Sequence, residues 1–268
     1  MTSLAVTLAI GHYGPSALYI IADSRITWSK VGEKWDCAQK TFTSQGADIF
    51  GFCGDAYFPP AILQQVLLQS RLGLLHDKGA DSRARHLAII EAFRQTLKSA
   101  GQTPISTFSL FHGARDGEGM NSRFMLWEAR YSAASRRLVD RSFDLEKQQS
   151  CLVHVDGSGG RLIKEKASAS NSRAEKKSRF AITAFCEALI SGVDSHSGGA
   201  PQLVGIGRRG AAKTFGFVWN ERKFVAGLEL AKTTTWKRAV WFNRNFEQCD
   251  GNSGLPKREA PRRKSVTR

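Results

Sequence analysis

The chain has 268 residues, of which 41% are hydrophobic, so it is long enough to bury the core of one large domain or two small ones. It contains no apolar stretch of the roughly 20 residues that a membrane helix needs, no signal-peptide pattern and no C-x-x-C pairing among its five cysteines, which favours a soluble cytoplasmic protein and excludes a cysteine-rich metal-binding module. The net charge of +15 falls largely in two polar stretches, 161–179 and 257–268, which are predicted to be a solvated loop and a loose tail, so a nucleic-acid partner is not favoured.

The N-terminal half of the chain is predicted to begin with strands and continue with helices. Apolar runs at 4–10 and 17–22 flank a turn rich in glycine and proline, which indicates a β-hairpin at the start of the chain. A further strand is predicted at 48–53. Pro59 and Pro60 then open a helical pattern, and a second helix is predicted at 84–97.

The C-terminal half returns to strands around one more helix. The predicted strands are at 107–112, 123–129, 151–155, 202–206 and 214–219, and the helix is at 174–190. This order lacks the strict alternation of a parallel doubly wound sheet and favours two packed antiparallel sheets with helices outside. Apolar residues thin out near the C-terminus, so a domain at 1–242 and a disordered basic tail at 243–268 are predicted.

Thr2 is a candidate nucleophile because aminopeptidases remove Met1 when a small residue follows it. A threonine hydroxyl is weakly nucleophilic until a base lies beside it, and an N-terminal threonine carries that base in its own α-amino group. The reference pKa of this amine is about 7.7 to 8, so a modest downward shift leaves it neutral near pH 7. Many unrelated proteins begin with Met-Thr, so Thr2 alone does not identify an enzyme.

Two segments near the N-terminus resemble the signature of proteasome β-subunits, in which a hairpin that starts at the catalytic threonine ends in an Asp-Ser-Arg motif. The matching run here is ADSRIT at 22–27. In the family a lysine and then a glycine follow at fixed distances. Here Lys40 follows Asp23, and Gly54 follows Lys40 within the run GFCGDA at 51–56. Both spacings agree closely with those of the family.

Two later glycine-rich motifs extend the resemblance to the second half of the chain. They are GSGG at 157–160, after a predicted strand, and DSHSGG at 194–199, at the end of a predicted helix. The family places a serine in the first motif and an Asp-x-x-Ser-Gly in the second. Six suitable residues in order across 2–220 are far more specific than any single motif, and the chain is identified as a proteasome-like N-terminal nucleophile (Ntn) hydrolase.

The resemblance implies an α+β fold, a four-layer α/β/β/α sandwich with two central antiparallel sheets, and assigns a role to each matching residue. Lys40 would lower the pKa of the Thr2 amine, and Asp23 would keep Lys40 charged and oriented. Ser158, Asp194 and Ser197 would form hydrogen bonds that hold the amino group. Gly54 would donate its backbone N–H to the oxyanion. Thr27 would pair with an extended substrate, and Phe52 would line the pocket for the substrate side chain.

The implied activity is threonine-type hydrolysis of peptide bonds in a polypeptide substrate, without a metal or an organic cofactor. Relatives in the family assemble into rings, so a homo-oligomer is expected and an ATPase partner is left open. The alternative from another class is a catalytically silent member of the same fold. It would act as a ring scaffold or as a nucleic-acid-binding module through the basic loop and tail.

The first hairpin departs from the family pattern because the stretch from Thr2 to Asp23 is longer than in the family, by about five positions. The segment 13–18 is predicted to absorb the extra residues in the turn. Thr7 lies at the family's usual distance before Asp23 and is therefore a rival nucleophile, although it would require self-cleavage after Val6. Thr2 is favoured because the bacterial relatives that need no propeptide begin with Met-Thr.

Two other enzyme classes are weighed against this reading. The run GIGRRG at 205–210 matches the G-x-G-x-x-G dinucleotide fingerprint. The segment after it looks like the return strand of a hairpin, whereas the fingerprint should open a helix. A Ser-His-Asp hydrolase lacks its G-x-S-x-G elbow, and His196 is predicted to be a loop residue.

Overall fold

The computed structural model describes residues 2–28, 32–146, 152–168, 178–231 and 238–257. Its four helices are α1 (Phe58–Arg71), α2 (Ser82–Ser99), α3 (Gly160–Ser168) and α4 (Ser178–Ser191). Its strands are β1 (Ser3–Gly11), β2 (Gly14–Ala22), β3 (Ile26–Trp28), β4 (Glu33–Trp35), β5 (Thr41–Thr43), β6 (Asp48–Cys53), β7 (Phe108–Asp116), β8 (Arg123–Ser132), β9 (Arg137–Phe143), β10 (Leu152–Gly157), β11 (Gln202–Gly207), β12 (Lys213–Trp219), β13 (Arg222–Val225), β14 (Leu228–Glu229), β15 (Trp241–Asn243) and β16 (Gln248–Cys249).

Two sheets form the centre of the molecule. The larger sheet has the order β10-β1-β2-β11-β12-β13-β14, with β15 and β16 attached through β12, and the smaller has the order β5-β6-β7-β8-β9. All pairs along these two strand orders are antiparallel. Strands β3 and β4 form a separate two-stranded ribbon.

Three hydrophobic clusters separate the layers. Alternate residues of a strand point to opposite faces, so on β6 Ile49 joins the cluster between the two sheets and Phe50 joins the cluster under α1 and α2. On β1, Leu4 likewise packs between the sheets, while Ala5 packs under α3 and α4. Helices therefore cover both outer faces, which confirms the predicted four-layer α/β/β/α sandwich.

The first hairpin corrects the prediction that its turn absorbs the extra residues. Strands β1 and β2 have nine residues each and are joined only by His12 and Tyr13, and Gly11 pairs with Gly14. The additional residues therefore lengthen the strands. They can do so because the apolar run of this hairpin continues into a register shift at Ala9 and Ile10, where a bulge accommodates the odd residue.

The packed part of the chain extends well beyond residue 242, where the predicted domain ends. β15 runs parallel to β12, and Trp241 and Cys249 are 2% and 1% exposed. Backbone bonding continues to Lys257, whose N–H donates to the carbonyl of Gln248 at 2.7 Å. The low apolar content misled the prediction because backbone hydrogen bonds hold this segment as much as side chains do. Residues 258–268 lie outside the described residues.

Two further elements were missed for related reasons. α3 occupies 160–168, where a solvated loop was predicted. It was missed because most of its residues are polar and Ile163 is its one large buried apolar residue. The rest of that predicted loop, 169–177, lies outside the described residues. β9 is an edge strand with mostly exposed, charged residues, which is a common way to protect a sheet edge. No described helix has the length and hydropathy needed to cross a membrane.

A chain of polar side chains fixes α2 to the smaller sheet. The Nδ1 atoms of His86 on α2 and His112 on β7 are 3.0 Å apart, so one donates to the other. The Nε2 atom of His86 lies 3.0 Å from Asp140, and that of His112 lies 3.2 Å from Asp48. Burial, with His112 as the second cause, lowers the pKa of His86 to about 4 despite the opposing charge of Asp140.

We therefore expect the free energy of unfolding to fall as the pH is lowered from about 6.5 to about 4. His86 binds a proton less readily when folded than when unfolded, so its contribution is complete above its unfolded pKa and is lost as the pH falls through the folded one. The full shift in the pKa of His86 corresponds to about 3 kcal/mol in the free energy of unfolding. Melting temperatures measured between pH 7 and pH 4 check this. A His86→Phe variant should show a shallower pH dependence, and an equally steep one would contradict the assignment.

Candidate active site

A cleft of about 500 Å³ contains three of the predicted site residues. Thr2, Thr27 and Gly54 all line it. The other lining residues are Arg25, Ile26, Asp55, Ala56, Tyr57, Ser106 and Thr107. The candidate nucleophile, the candidate oxyanion donor and the candidate substrate-pairing residue therefore line one cleft.

Thr2 lies immediately before β1 and is held through its backbone. Its carbonyl accepts a hydrogen bond from the N–H of Ser158 at 3.0 Å. The chain approaches so closely here that a Cβ on Gly157 would lie 1.6 Å from the Thr2 carbonyl oxygen, and Gly157 has a φ of +89°. Only glycine meets both requirements. The GSGG motif is therefore a backbone support for Thr2 as well as a source of side chains.

Lys40 and Asp23 form a buried ion pair beneath the start of β1. Lys40 Nζ is 2.8 Å from Asp23 Oδ1, and both residues are at most 1% exposed. The same oxygen accepts the N–H of Ser3 at 3.1 Å. One carboxylate oxygen thus contacts both the lysine and the peptide bond that follows Thr2, which brings the lysine to the candidate nucleophile.

The rest of the Asp23 carboxylate and the lysine ammonium are also satisfied by backbone groups. Asp23 Oδ2 accepts hydrogen bonds from the N–H groups of Gly198 at 2.9 Å and Arg25 at 3.2 Å. Lys40 Nζ also donates to the carbonyl of Arg25. These contacts restrict the ammonium to one position, which a positioned proton-transfer group requires.

Burial controls the ionisation of this pair. It lowers the pKa of Lys40 from its usual value, against the opposing attraction of Asp23, and it raises the pKa of Asp23, against the opposing effect of Lys40. A lysine whose pKa is lowered exchanges its proton near neutral pH more readily than an exposed lysine. Burial thus disfavours the charged forms of both groups, and their mutual attraction opposes that effect.

The structure brings the three remaining predicted catalytic residues together around one oxygen atom. Asp194 Oδ2 accepts hydrogen bonds from the hydroxyls of Ser158 and Ser197, both at 2.6 Å. Burial acts to raise the pKa of Asp194, but these two bonds and the His196 N–H outweigh it and lower the pKa. Asp194 is thus a carboxylate that accepts hydrogen bonds and holds the two serine hydroxyls in place.

Ser3 extends this cluster to β1 and was missed by the sequence analysis. Its Oγ lies 2.6 Å from that of Ser197, and because Ser197 donates to Asp194, Ser3 is the donor to Ser197. A Cβ on Gly159 would lie 2.1 Å from Ser3 Oγ, so this motif glycine leaves room for the network. The only sequence signal was a small polar residue where the apolar run of the strand begins.

Two supporting residues were also missed. Arg25 forms a bidentate ion pair with Asp36, with distances of 2.7 and 2.8 Å, and donates to the carbonyls of Ser195 and Ser197. Gln202, which is 1% exposed, accepts from the N–H of Lys40 at 2.9 Å and donates to the carbonyl of Asp23. A glutamine at the start of a buried strand was the available signal.

The two predicted substrate-binding residues differ in their positions. Thr27 lies on β3 opposite Lys34 of β4, and its buried Oγ1 has no hydrogen-bond partner among the described residues. Phe52 does not line the cleft. It is 2% exposed and packs in the core beside Phe42, with their ring centroids 6.5 Å apart. The structure therefore gives no support to Phe52 as a surface of the substrate pocket.

The rival nucleophile and the rival fingerprint have structural roles. Thr7 lies within β1, fully buried, opposite Tyr19 on one side and Leu152 on the other, and it does not line the cleft. The run GIGRRG ends β11 and turns into β12 without a helix. Its Arg208 donates to the carbonyls of Tyr13 and Pro15, so it supports the tip of the first hairpin.

Comparison with solved structures identifies the fold. A mutant of Anbu from Hyphomicrobium sp. strain MC1 superposes with a TM-score of 0.52 at 10% identity, over 84% of this chain and 87% of the other. HslV from Trypanosoma brucei gives a TM-score of 0.45 at 12% identity, over 76% and 99% of the two chains. No protein-family profile matches the sequence, and no curated protein sequence matches it. The protein has the proteasome-like Ntn-hydrolase fold.

Proposed function

We propose that the protein is a threonine-type Ntn hydrolase that cleaves peptide bonds, with Thr2 as its nucleophile after removal of Met1. The observation that carries the proposal is the shared oxygen of Asp23, which contacts both Lys40 Nζ at 2.8 Å and the Ser3 N–H at 3.1 Å. It brings a buried lysine of lowered pKa to the residue that also shares a cleft with Gly54.

The groups around Thr2 support one reaction sequence. The free amine of Thr2 takes the hydroxyl proton as the oxygen attacks the amide carbonyl, and the N–H of Gly54 stabilises the oxyanion of the tetrahedral intermediate. The proton passes to the leaving amine, which leaves an ester on Thr2. Water then hydrolyses this ester by the same proton transfers. Lys40 favours the neutral amine, and the cluster around Asp194 orients it.

The position of β3 supports an extended polypeptide as the substrate. β3 pairs with β4 along one edge, and two of its residues, Ile26 and Thr27, line the cleft. An extended chain can add to such a strand by backbone hydrogen bonds, which recognise a peptide without regard to most of its side chains. Because the chain resembles proteasome subunits, the proposal includes assembly into a homo-oligomeric ring. It does not specify an ATPase partner.

The deciding experiment labels the protein with a peptide epoxyketone, whose two electrophilic carbons capture both the hydroxyl and the amine of an N-terminal threonine. Intact mass spectrometry should first show the loss of Met1. Peptide mapping should then place the adduct on Thr2. Thr2→Ala should abolish labelling, and Thr2→Ser should keep part of it, because serine presents the same two groups.

Two controls make the experiment decisive. An uncleaved N-terminal tag should abolish labelling because it removes the base while leaving the hydroxyl in place. Thr7→Ala should label as the unmodified chain does, and an adduct on Thr7 would refute the assignment of Thr2. A folded, untagged protein that reacts with no epoxyketone across several side-chain variants would instead support the catalytically silent scaffold.

A further inference from the structure

A second group of polar side chains lies between the two sheets, on strands that border the candidate site. Glu128 on β8 and His154 and Asp156 on β10 each place one ligand atom within 4.8 Å of the others. His154 and Asp156 are two residues apart, so they lie on the same face of β10. The ring of His154 packs between those of Phe111 and Phe143, with distances of 5.3 and 5.2 Å between the ring centroids.

Hydrogen bonds hold the Glu128 carboxylate in place, but one of its oxygens can accept a further contact. It is 2% exposed. Its Oε2 accepts the Nε–H of Arg141 at 2.6 Å, and its Oε1 accepts the hydroxyl of Ser109 at 3.2 Å. A carboxylate oxygen can accept more than one contact. Oε1, which receives only a long neutral hydrogen bond, therefore remains available.

Asp156 has the least satisfied carboxylate of the group. Its Oδ1 accepts the N–H of Gly157 at 2.7 Å, whereas its Oδ2 is buried and has no hydrogen-bond partner among the described residues. The nearby hydroxyl of Ser109 already donates its proton to Glu128. The neighbouring Cys53 thiol, which also contacts Asp156, is only a weak donor. A buried, unsatisfied carboxylate oxygen calls for a ligand.

We propose that Glu128, His154 and Asp156 bind one divalent transition-metal ion of the Zn²⁺ or Mn²⁺ type. An imidazole with two carboxylates suits these ions, whereas Ca²⁺ and Mg²⁺ prefer oxygen ligands alone. Three protein ligands leave the remaining coordination positions to water. His154 supplies an imidazole nitrogen, the commonest protein ligand for such ions.

The position of the ion between the two sheets links it to the candidate site. The ion would connect β8 of one sheet to β10 of the other. β10 ends at Gly157, and Ser158 follows, and these residues support the Thr2 carbonyl and Asp194. The ion is therefore a structural clamp that steadies the candidate site and takes no part in the bond cleavage.

Titration calorimetry of the full-length protein, stripped with EDTA, tests the site with ZnCl₂ and, separately, with MnCl₂, which has little affinity for thiols. We expect one ion per chain and a melting temperature that rises with metal concentration. Asp156→Asn and His154→Phe should each raise the dissociation constant at least about 100-fold, since even the loss of an outer-shell partner costs about 10- to 100-fold. His154→Phe keeps an aromatic ring between Phe111 and Phe143.

A matched control excludes adventitious binding by histidine. His12→Phe, at the exposed tip of the first hairpin, removes the same group and should bind the ion as the unmodified chain does. Thr2→Ala should also bind it, which separates this site from the proposed hydrolase activity. The proposal is overturned if the unmodified protein binds neither metal, or if circular dichroism shows Asp156→Asn to be folded and its affinity is unchanged.

Discussion

Replacement of Lys40 by alanine should reduce hydrolysis by about 10³-fold, within the range of general base catalysis, because the Thr2 amine would lose the nearby cation proposed to keep it neutral and basic. The variant should also be less stable, because Asp23 would be left buried and unpaired. The loss of one member of a buried ion pair costs about 3–5 kcal/mol, or roughly 10 °C in melting temperature for a chain of this size. Activity assays well below the melting point, together with thermal denaturation, measure the two effects separately.

A destabilised variant with an intact site serves as the control for Lys40→Ala. Leu63 is fully buried between α1 and the smaller sheet, and Leu63→Ala should cost about 2–5 kcal/mol while retaining activity at the same temperature. If Leu63→Ala loses activity to the same extent, the effect of Lys40→Ala is one of stability alone. If folded Lys40→Ala remains active, the lysine has no part in proton transfer.

Gly157→Ala should be among the most destabilising single substitutions in the protein, with a cost above about 4 kcal/mol. The new Cβ would lie 1.6 Å from the Thr2 carbonyl oxygen, so the start of β1 or the end of β10 must move. Ser158 and the proposed metal ligand Asp156 flank this glycine. Thermal denaturation should therefore show a large loss of stability, and epoxyketone labelling should be lost with it.

Gly210→Ala is the matched control for the Gly157 substitution. Gly210 also has a positive φ, +75°, but a Cβ there would have no atom within 4 Å. It should therefore cost only the backbone strain of a left-handed alanine, about 1 kcal/mol. Equal losses at the two positions would show that backbone strain, and not the contact with Thr2, limits Gly157.

The four layers were predicted from the resemblance to proteasome subunits, and the order of predicted strands and helices was compatible with them. The sequence could not predict the segment after Asn243 or β9, whose stability comes from backbone pairing at an edge and not from an apolar pattern. The sequence could not show that β1 and β2 are lengthened. The number of residues between Thr2 and Asp23 is the same whether the extra residues lie in the strands or in the turn. Only the paired register separates the two cases.

The predicted site residues were found through motif spacing. Of the missed ones, Arg25 lies inside a quoted motif but received no role, and Ser3 and Gln202 belong to no motif. Asp23 and Lys40 are well separated in the sequence and meet because their strands run to the same end of the sandwich. Ser3 and Gln202 depend on which face of a strand each side chain takes, and on neighbours far away along the chain, such as Ser197 for Ser3. Phe52 shows the converse, since a matching position placed it in a role that its burial does not support.

The order in which these residues are synthesised determines when the proposed site can assemble. β1 pairs with β10 and β2 pairs with β11, so the first hairpin to leave the ribosome waits for strands made far later. Ser197, which completes the cluster around Asp194, emerges after nearly three quarters of the chain. Pairing over such separations is slow. In the proposed hydrolase, a nascent chain would therefore present Thr2 well before the groups that activate it, and its neighbours on the polysome would be protected from premature cleavage.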